Sequence, residues 1–302
     1  MIKVFISTSS FGEKNTLPLK LLKDAGMNVR LNPYKRQLTG EECLNLYQDV
    51  DGLVAGTEPL TAEVLKAAKN LKVISRCGTG LDNVDLEAAK RLGIKVFNTP
   101  DAPTLAVAEL ALGLILSLMR HVPHMDRDIR AGKWQKRMGN LIRGKTVGII
   151  GFGRIGQKVA ELIQALGAHV VYCDPAVNKT GYKKLLLDEL LTQSDIVTLH
   201  LSGGSKGTPL LGDKELRRMK QGAWLLNCAR GGIVDEEALS RVLQEGCLSG
   251  AALDVFTKEP YNGPLAKLDN VILTPHIGSY AVESRVEMEV ETVKNLIKGF
   301  KG

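Results

Sequence analysis

Three polar side chains stand just past apolar, strand-like segments in the second half of the sequence. Arg230 closes the run Leu225-Leu226-Asn227-Cys228-Ala229-Arg230, ahead of Gly231-Gly232. Glu259 follows Asp254-Val255-Phe256-Thr257-Lys258 and precedes Pro260. His276 sits in Thr274-Pro275-His276-Ile277-Gly278. A guanidinium is a planar fork that grips a carboxylate through two charge-assisted hydrogen bonds. An imidazole exchanges a proton with a hydroxyl near neutral pH, an effect worth about 10² to 10⁴ in rate. A carboxylate on the far ring nitrogen favours the imidazolium and fixes its tautomer. Together the three suit oxidation of a hydroxy acid, with a nicotinamide taking the hydride. Singly, each has a bland reading as a surface charge, a solvated loop acid or a space-filling ring. Their shared position after strands of one nucleotide-binding sheet argues against that.

The nucleotide is read from Lys145 to Asp174. Thr146 to Ile150 is β-branched and apolar, as a buried parallel strand should be. Gly151, Gly153 and Gly156 follow at the G-x-G-x-x-G spacing. Gly151 permits the tight turn, Gly153 lets a pyrophosphate reach the backbone, and Gly156 lets the following helix sit close to the sheet. That helix is expected over Gln157 to Leu166, stopping at Gly167, with phosphates drawn to its N-terminus. A second strand, Val170 to Tyr172, runs to Asp174, the acid expected to bind the ribose hydroxyls. Facing a 2′-phosphate, that carboxylate would be repelled by roughly 4 kcal/mol at ~4 Å and an effective dielectric near ~20. NAD is therefore expected over NADP. A glycine-rich turn alone is weak evidence; flanked by two strands, a helix and the acid, it is strong.

Elements must place these groups. In the first hundred residues, strands are expected at Val4–Ser7, Val29–Leu31, Gly52–Ala55, Val73–Ser75 and Lys95–Phe97, with helices between them. Such alternation implies a parallel sheet covered on both faces. Its glycine-rich turn, Cys77-Gly78-Thr79-Gly80, follows a strand, where open α/β sheets bind ligands. Thr99-Pro100-Asp101-Ala102-Pro103 is read as a linker. From it starts a helix, Thr104 to about Arg120, apolar nearly all round and so expected at a domain or subunit interface. Further strands are expected at Ile196–Leu199, Ala223–Leu226, Ala251–Val255 and Val271–Leu273, and a final helix over Ser279–Lys298. The fold class is α/β: two doubly wound parallel-sheet domains.

With 302 residues, 44% apolar and 24% charged, the composition suits two globular domains. No run spans a bilayer, and no basic-then-apolar leader opens the chain. The five cysteines are scattered without a C-x-x-C pair, which fits a reducing cytoplasm and argues against a metal cluster. The net charge of +7 comes with no nucleic-acid-binding motif, so neither nucleic acid nor membrane is an expected partner. His121 and His124 have metal-like spacing but nothing to complete a site, and are read as helix-end residues.

The sequence resembles the NAD-dependent D-2-hydroxyacid dehydrogenases, most closely their D-3-phosphoglycerate dehydrogenase branch. The similar segments are Gly151–Gly156, Asn227–Glu236, Gly250–Phe256 with Glu259-Pro260, Asp269–Gly278, and Arg76–Asp85. The resemblance implies a flavodoxin-like substrate domain (1–99 plus 277–302) and a Rossmann NAD domain (100–276), with the cofactor in a cleft between them. It implies that Arg230 binds the substrate carboxylate and carbonyl, His276 is the acid/base, and Glu259 its partner. It places Gly78, Thr79 and Gly80 at the carboxylate, and Arg154, Ile155, Asp174 and Asp254 at NAD, the last near the nicotinamide amide. It also implies a homodimer joined through the matching helix and arm, 104–134.

Departures bear on the substrate. Where the phosphoglycerate enzymes often carry a base, this chain reads Ala55-Gly56-Thr57-Glu58-Pro59, and Glu58 near a pocket would disfavour a phosphate. Lys136 or Arg137 of a dimer partner would be a substitute. The family's usual Pro-Leu-Thr is replaced by Ser202-Gly203-Gly204-Ser205, beside the cofactor. The chain ends near residue 300, so the regulatory domain of some relatives, and serine feedback through it, is not expected. The leading expectation is 3-phosphoglycerate oxidation, as in serine biosynthesis; glyoxylate or hydroxypyruvate reduction is the runner-up. A different class, an NAD-sensing corepressor-like protein, would keep the same three residues.

Overall fold

Short apolar, β-branched runs fold as parallel strands with helices between them, in a computed structural model that describes residues 1–178, 180–201 and 207–301. The Cα trace divides into two units, Met1–Pro103 with Ser279–Gly302, and Thr104–Gly278.

In the first unit, β1 (Lys3–Ile6), β2 (Asn28–Leu31), β3 (Gly52–Ala55), β4 (Val73–Arg76) and β5 (Lys95–Phe97) pair in parallel in the order β2-β1-β3-β4-β5. This is the flavodoxin-like order, which puts every carboxyl end on one edge. Alternate side chains feed two cores. Phe5, Leu53 and Ile74 meet the helices on one face. Val4, Ile6, Val54 and Val73 meet Val293 and Leu296 on the other. Those two come from the last helix, Val282–Lys301, which returns to close the sheet begun by the N-terminus. Local signals set the helix starts: Thr39 and Glu42 form a capping box, and Asp85 accepts the Ala88 N–H at 2.8 Å.

In the second unit, β6 (Thr146–Ile150), β7 (His169–Cys173), β8 (Lys183–Lys184), β9 (Ile196–Leu199), β10 (Ala223–Asn227), β11 (Leu248–Leu253) and β12 (Val271–Leu273) form one parallel sheet. The order is β12-β11-β10-β9-β6-β7-β8. The succession of strands across the sheet reverses between β6 and β9, the switch point at which doubly wound sheets hold dinucleotides.

The structure departs from the sequence reading at several elements. The helix after the glycine motif spans Arg154–Ala165, so Gly156 lies inside its first turn rather than before it. The helix expected to end near Arg120 stops at Met119, bends by 62° and continues as Val122–Arg130. His121, with φ of 53°, makes the corner, and Pro123 opens the new helix. Helices Leu187–Gln193 and Asp213–Arg218 were too short to show periodicity. Among the described residues, no single helix is long and apolar enough to cross a membrane.

Leu296 is fully buried under the first sheet. Leu296→Ala should cost about 2–5 kcal/mol, read as a lower denaturant midpoint. A loss below ~0.5 kcal/mol would show that the last helix does not pack as described.

Candidate functional site

The glycine motif is shaped by close backbone approach. Gly151 takes φ of 90°, and a Cβ there would lie 2.6 Å from the His200 carbonyl oxygen. A Cβ on Gly156 would collide with the Gly151 carbonyl, so the helix packs against the turn only because none is present. Gly153 has nothing within 4 Å of its would-be Cβ. Space is thus open over the start of Arg154–Ala165, where no side chain caps the helix. Open space and uncapped N–H donors fit a pyrophosphate. Arg154 is exposed and Ile155 half-buried on that first turn.

Asp174, past the end of β7, is held by three backbone donors. Its Oδ2 accepts the Phe152 N–H at 2.7 Å; its Oδ1 accepts those of Ala176 and Val177 at 2.8 and 2.9 Å. Burial pulls this carboxyl upward, but the three N–H groups and the Lys184 charge hold it below the usual carboxylate range. An ionised acid pinned to the glycine turn retains a lone pair on Oδ2 for a ribose hydroxyl.

The three residues singled out for chemistry converge in the second unit. Past β10, Asn227 accepts the Ala229 N–H on Oδ1 at 3.0 Å and donates from Nδ2 to the Arg230 carbonyl at 3.0 Å. That turn sets the Arg230 loop, whose guanidinium donates to the Ala229 carbonyl at 2.7 Å. Gly231 packs flush on the Phe256 carbonyl, where any Cβ would collide, so the loops carrying Arg230 and Glu259 lie side by side. Glu236 braces the second loop by accepting the Thr257 N–H and hydroxyl at 2.7 and 2.8 Å.

Glu259 accepts the Phe256 N–H on Oε1 at 3.1 Å and lies 3.0 Å from His276 Nδ1 through Oε2. Burial raises its carboxyl, but the His276 hydrogen bond and charge, with the Phe256 N–H and the Arg230 charge, hold it below the ordinary value. With Nδ1 engaged, His276 keeps Nε2 for a substrate. The ring is half-exposed, on a backbone with φ of 54° that a non-glycine residue seldom adopts. Asp254 imposes that conformation. Buried to 1% exposure, it accepts the Thr274 hydroxyl at 2.6 Å, the Ile277 N–H at 2.8 Å and the Gly278 N–H at 2.8 Å. Nothing in the sequence pointed to this clamp, or to the braces at Asn227, Gly231 and Glu236, because each depends on backbone groups that only the fold brings near.

Other expected residues lie in the first unit. After β4, Gly78 (φ 140°) donates its N–H to Thr99 Oγ1 at 2.8 Å, and the Arg76 guanidinium fills the place of its missing side chain. Thr79 next to it, beside half-buried Gly80, has a solvent-shielded hydroxyl with no hydrogen-bond partner. His200, just past β9, is similar: Nε2 is 2.8 Å from Thr198 Oγ1, Nδ1 has no partner, and burial pushes its pKa down to about 3.

Glu58 does not face outward. It is 2% exposed and accepts from Ser7 Oγ (2.6 Å), Tyr47 OH (3.3 Å) and the Gly56 N–H (2.9 Å), so it braces the turn after β3. Ser202-Gly203-Gly204-Ser205 lies outside the described residues.

Comparison with known proteins gives the family. A family model described as D-isomer specific 2-hydroxyacid dehydrogenase, NAD binding domain, matches residues 112–278. A D-3-phosphoglycerate dehydrogenase of Pongo abelii is 41% identical over 292 residues, covering 94% of this chain and 54% of that protein. This chain thus spans about half the length of such relatives. A hydroxypyruvate reductase of Thermotoga maritima is 40% identical over 270 residues, 86% of this chain and 88% of that one. The crystal structure of the TT0316 protein from Thermus thermophilus superposes with a TM-score of 0.91 at 37% identity, covering 100% of this chain and 97% of the other.

A carboxyl held low in the folded state adds stability above its unfolded pKa, lost as pH falls through the folded value. Glu259→Gln should therefore be less stable than wild type at pH 7, with the gap closing below about pH 4. Thermal unfolding at both pH values checks this; a gap that stays constant would remove Glu259 from the ionised pair.

Proposed function

Because the chain belongs to the D-isomer-specific 2-hydroxyacid dehydrogenase family and carries its NAD-binding domain, we propose that it interconverts a D-2-hydroxy acid and its 2-keto acid, with 3-phosphoglycerate as leading substrate. The observation that carries this reading is the 3.0 Å contact between His276 Nδ1 and Glu259 Oε2 beside the Arg230 charge. Bound NAD supplies the hydride acceptor. His276 Nε2 takes the hydroxyl proton as C2 is oxidised, and Glu259 stabilises the imidazolium so formed. Arg230 holds the carboxylate and the developing carbonyl with its fork. Gly78, Thr79 and Gly80 line the carboxylate site, with the Gly78 N–H kept by Thr99 Oγ1. Gly151, Gly153, Arg154, Ile155 and Gly156 hold the pyrophosphate, Asp174 the ribose, and Asp254 both the His276 loop and, through its remaining lone pair, the nicotinamide amide.

Hydroxypyruvate reduction is the second reading, favoured by the identity to the Thermotoga maritima protein. Arg137 pairs with Asp128 of its own chain at 2.9 Å, which weakens the idea of a partner's Arg137 on a substrate phosphate. Leu105, Val122, Ile129 and Trp134, all more than half exposed, support pairing of two copies through the 104–134 segment. All five cysteines are free, as a reducing cytoplasm would leave them.

His276→Ala should cut turnover by at least ~10² while NAD affinity barely moves. The check is NADH production or consumption with 3-phosphoglycerate, glycerate, lactate and hydroxypyruvate. Hydroxypyruvate reduction without phosphoglycerate oxidation would replace the leading substrate; tight NAD binding with no turnover on any acid would favour a sensor. Asp174→Ala should relax the preference for NAD over NADP, measured as the ratio of kcat/KM values. An unchanged ratio would deny Asp174 that role.

A further inference from the structure

Phe256 and Tyr261 close the loop that carries Glu259. Phe256 stands just past β11 and is buried in a core of the second unit, and Tyr261 packs on the same core. Their rings stack, with centroids 4.3 Å apart and planes inclined by 23°. Thr257, Lys258, Glu259 and Pro260, the residues between them, are exposed. A run that buries so little apolar surface depends on how its ends are fixed.

Phe256 meets the site through three of its groups. Its N–H donates to Glu259 Oε1 at 3.1 Å, its carbonyl lies flush against Gly231 on the Arg230 loop, and its ring carries Tyr261. Tyr261 is fixed in turn from the far side. Its hydroxyl accepts the Leu265 N–H at 3.2 Å, in the first turn of the short 3₁₀ helix Pro264–Lys267. That donor is one of the groups a helix start leaves without an internal partner. Gly263 makes room for the ring, since a Cβ there would lie 2.4 Å from the Tyr261 hydroxyl oxygen. Leu265 itself is fully buried. The chain is thus anchored at Phe256, Tyr261 and Leu265, and Glu259 rides on the first span. Glu236 braces that span at Thr257, its near end; Tyr261 braces the far end. Without the Tyr261 ring, the stretch between anchors would run from 257 to 264 instead of 257 to 260, and a longer loop has more conformations open to it.

We propose that Tyr261 is a positioning residue for the acid/base pair: by stacking on Phe256 it keeps the Glu259 carboxylate against His276 Nδ1. This rests on the dehydrogenase reading above, in which His276 exchanges the proton and Glu259 stabilises the imidazolium. The contact that Tyr261 secures spans 3.0 Å between Nδ1 and Oε2, and such a bond weakens steeply as its geometry drifts. The ring does this work and the hydroxyl assists, because the stack bears on Phe256 while the hydroxyl bears on Leu265.

The test measures reduction of 3-phosphohydroxypyruvate, hydroxypyruvate and glyoxylate by NADH in wild type, Tyr261→Phe, Tyr261→Ala, Glu259→Ala and the double variant Tyr261→Ala/Glu259→Ala. On the best of the three acids, Tyr261→Ala should lower kcat by about tenfold or more, as loss of an aromatic stack and a small misplacement of a catalytic group would. KM for NADH should stay within about twofold. Tyr261→Phe, which keeps the stack, should keep most of the wild-type kcat. Once Glu259 is absent there is no carboxylate to place, so adding Tyr261→Ala to Glu259→Ala should change kcat by less than about twofold. The same loss in both backgrounds would show that Tyr261 supports the fold and does not act through Glu259, and would overturn the assignment. An unchanged kcat in Tyr261→Ala would overturn it as well, and either result leaves the dehydrogenase reading standing. If Tyr261→Ala does not fold, Tyr261→Leu, which keeps apolar bulk without a stacking ring, takes its place in both backgrounds with the same outcomes. Wild type that reduces none of the three acids would bring down the dehydrogenase reading, and this assignment with it.

Discussion

The second unit's chemistry depends on one buried carboxylate. Asp254 leaves the carboxyl end of β11 and closes on the loop that follows β12, accepting one hydroxyl and two backbone N–H groups. Taking a carboxylate out of water is costly, and burial raises the Asp254 pKa despite the donors that offset it. The return is conformational. His276 occupies left-handed backbone space, which costs of order 1–3 kcal/mol for a side chain of its kind and persists only where the surroundings over-determine it. The clamp spans residues 274 to 278 and supplies that determination. With the backbone fixed, one contact to Glu259 suffices to orient the imidazole, and Nε2 is presented without a further support.

Glycines give a second layer of control, by letting main chains touch where a Cβ would hold them apart. Gly231 lies against Phe256, Gly156 against Gly151, and Gly151 against His200. The first contact puts a guanidinium beside a carboxylate. The other two bring a helix start down onto the turn that leaves β6. In each case the contact lies just past a strand, so the parallel ladder sets where the main chains meet. Asp174 ties the motif together by accepting the N–H of Phe152, which lies between two of its glycines. The side chain proposed for the ribose therefore also fixes the turn.

Much of this was legible in the sequence. Buried parallel strands are continuous apolar runs, and β3, β6, β9 and β10 stand where such runs occur. The glycine spacing, Asp174 and the Arg230, Glu259 and His276 positions were read from residue type and from proximity to strand ends. What escaped was either short or non-local. Leu187–Gln193 and Asp213–Arg218 offer fewer than two full turns of periodicity. The bend at His121 depends on a left-handed residue that is not glycine. Glu58 was misjudged because a lone acid in a loop gives no sign of direction. Only the fold reveals Ser7, 51 positions earlier, and Tyr47 waiting to bond it.

The same physics explains why both units carry orphan polar atoms at one kind of place. In a parallel sheet every strand ends on the same edge, so ladder bonding stops there and side chains of the following loops lose regular partners. Most such groups are recaptured: Ser7 and Tyr47 bond Glu58, Gly78 bonds Thr99, and Asn98 bonds the Thr79 carbonyl. Thr8, Thr79 and His200 retain an atom that is not. Leaving a shielded hydroxyl without a partner costs about 1–3 kcal/mol. The end of the ladder thus decides which loop groups must find side-chain partners of their own.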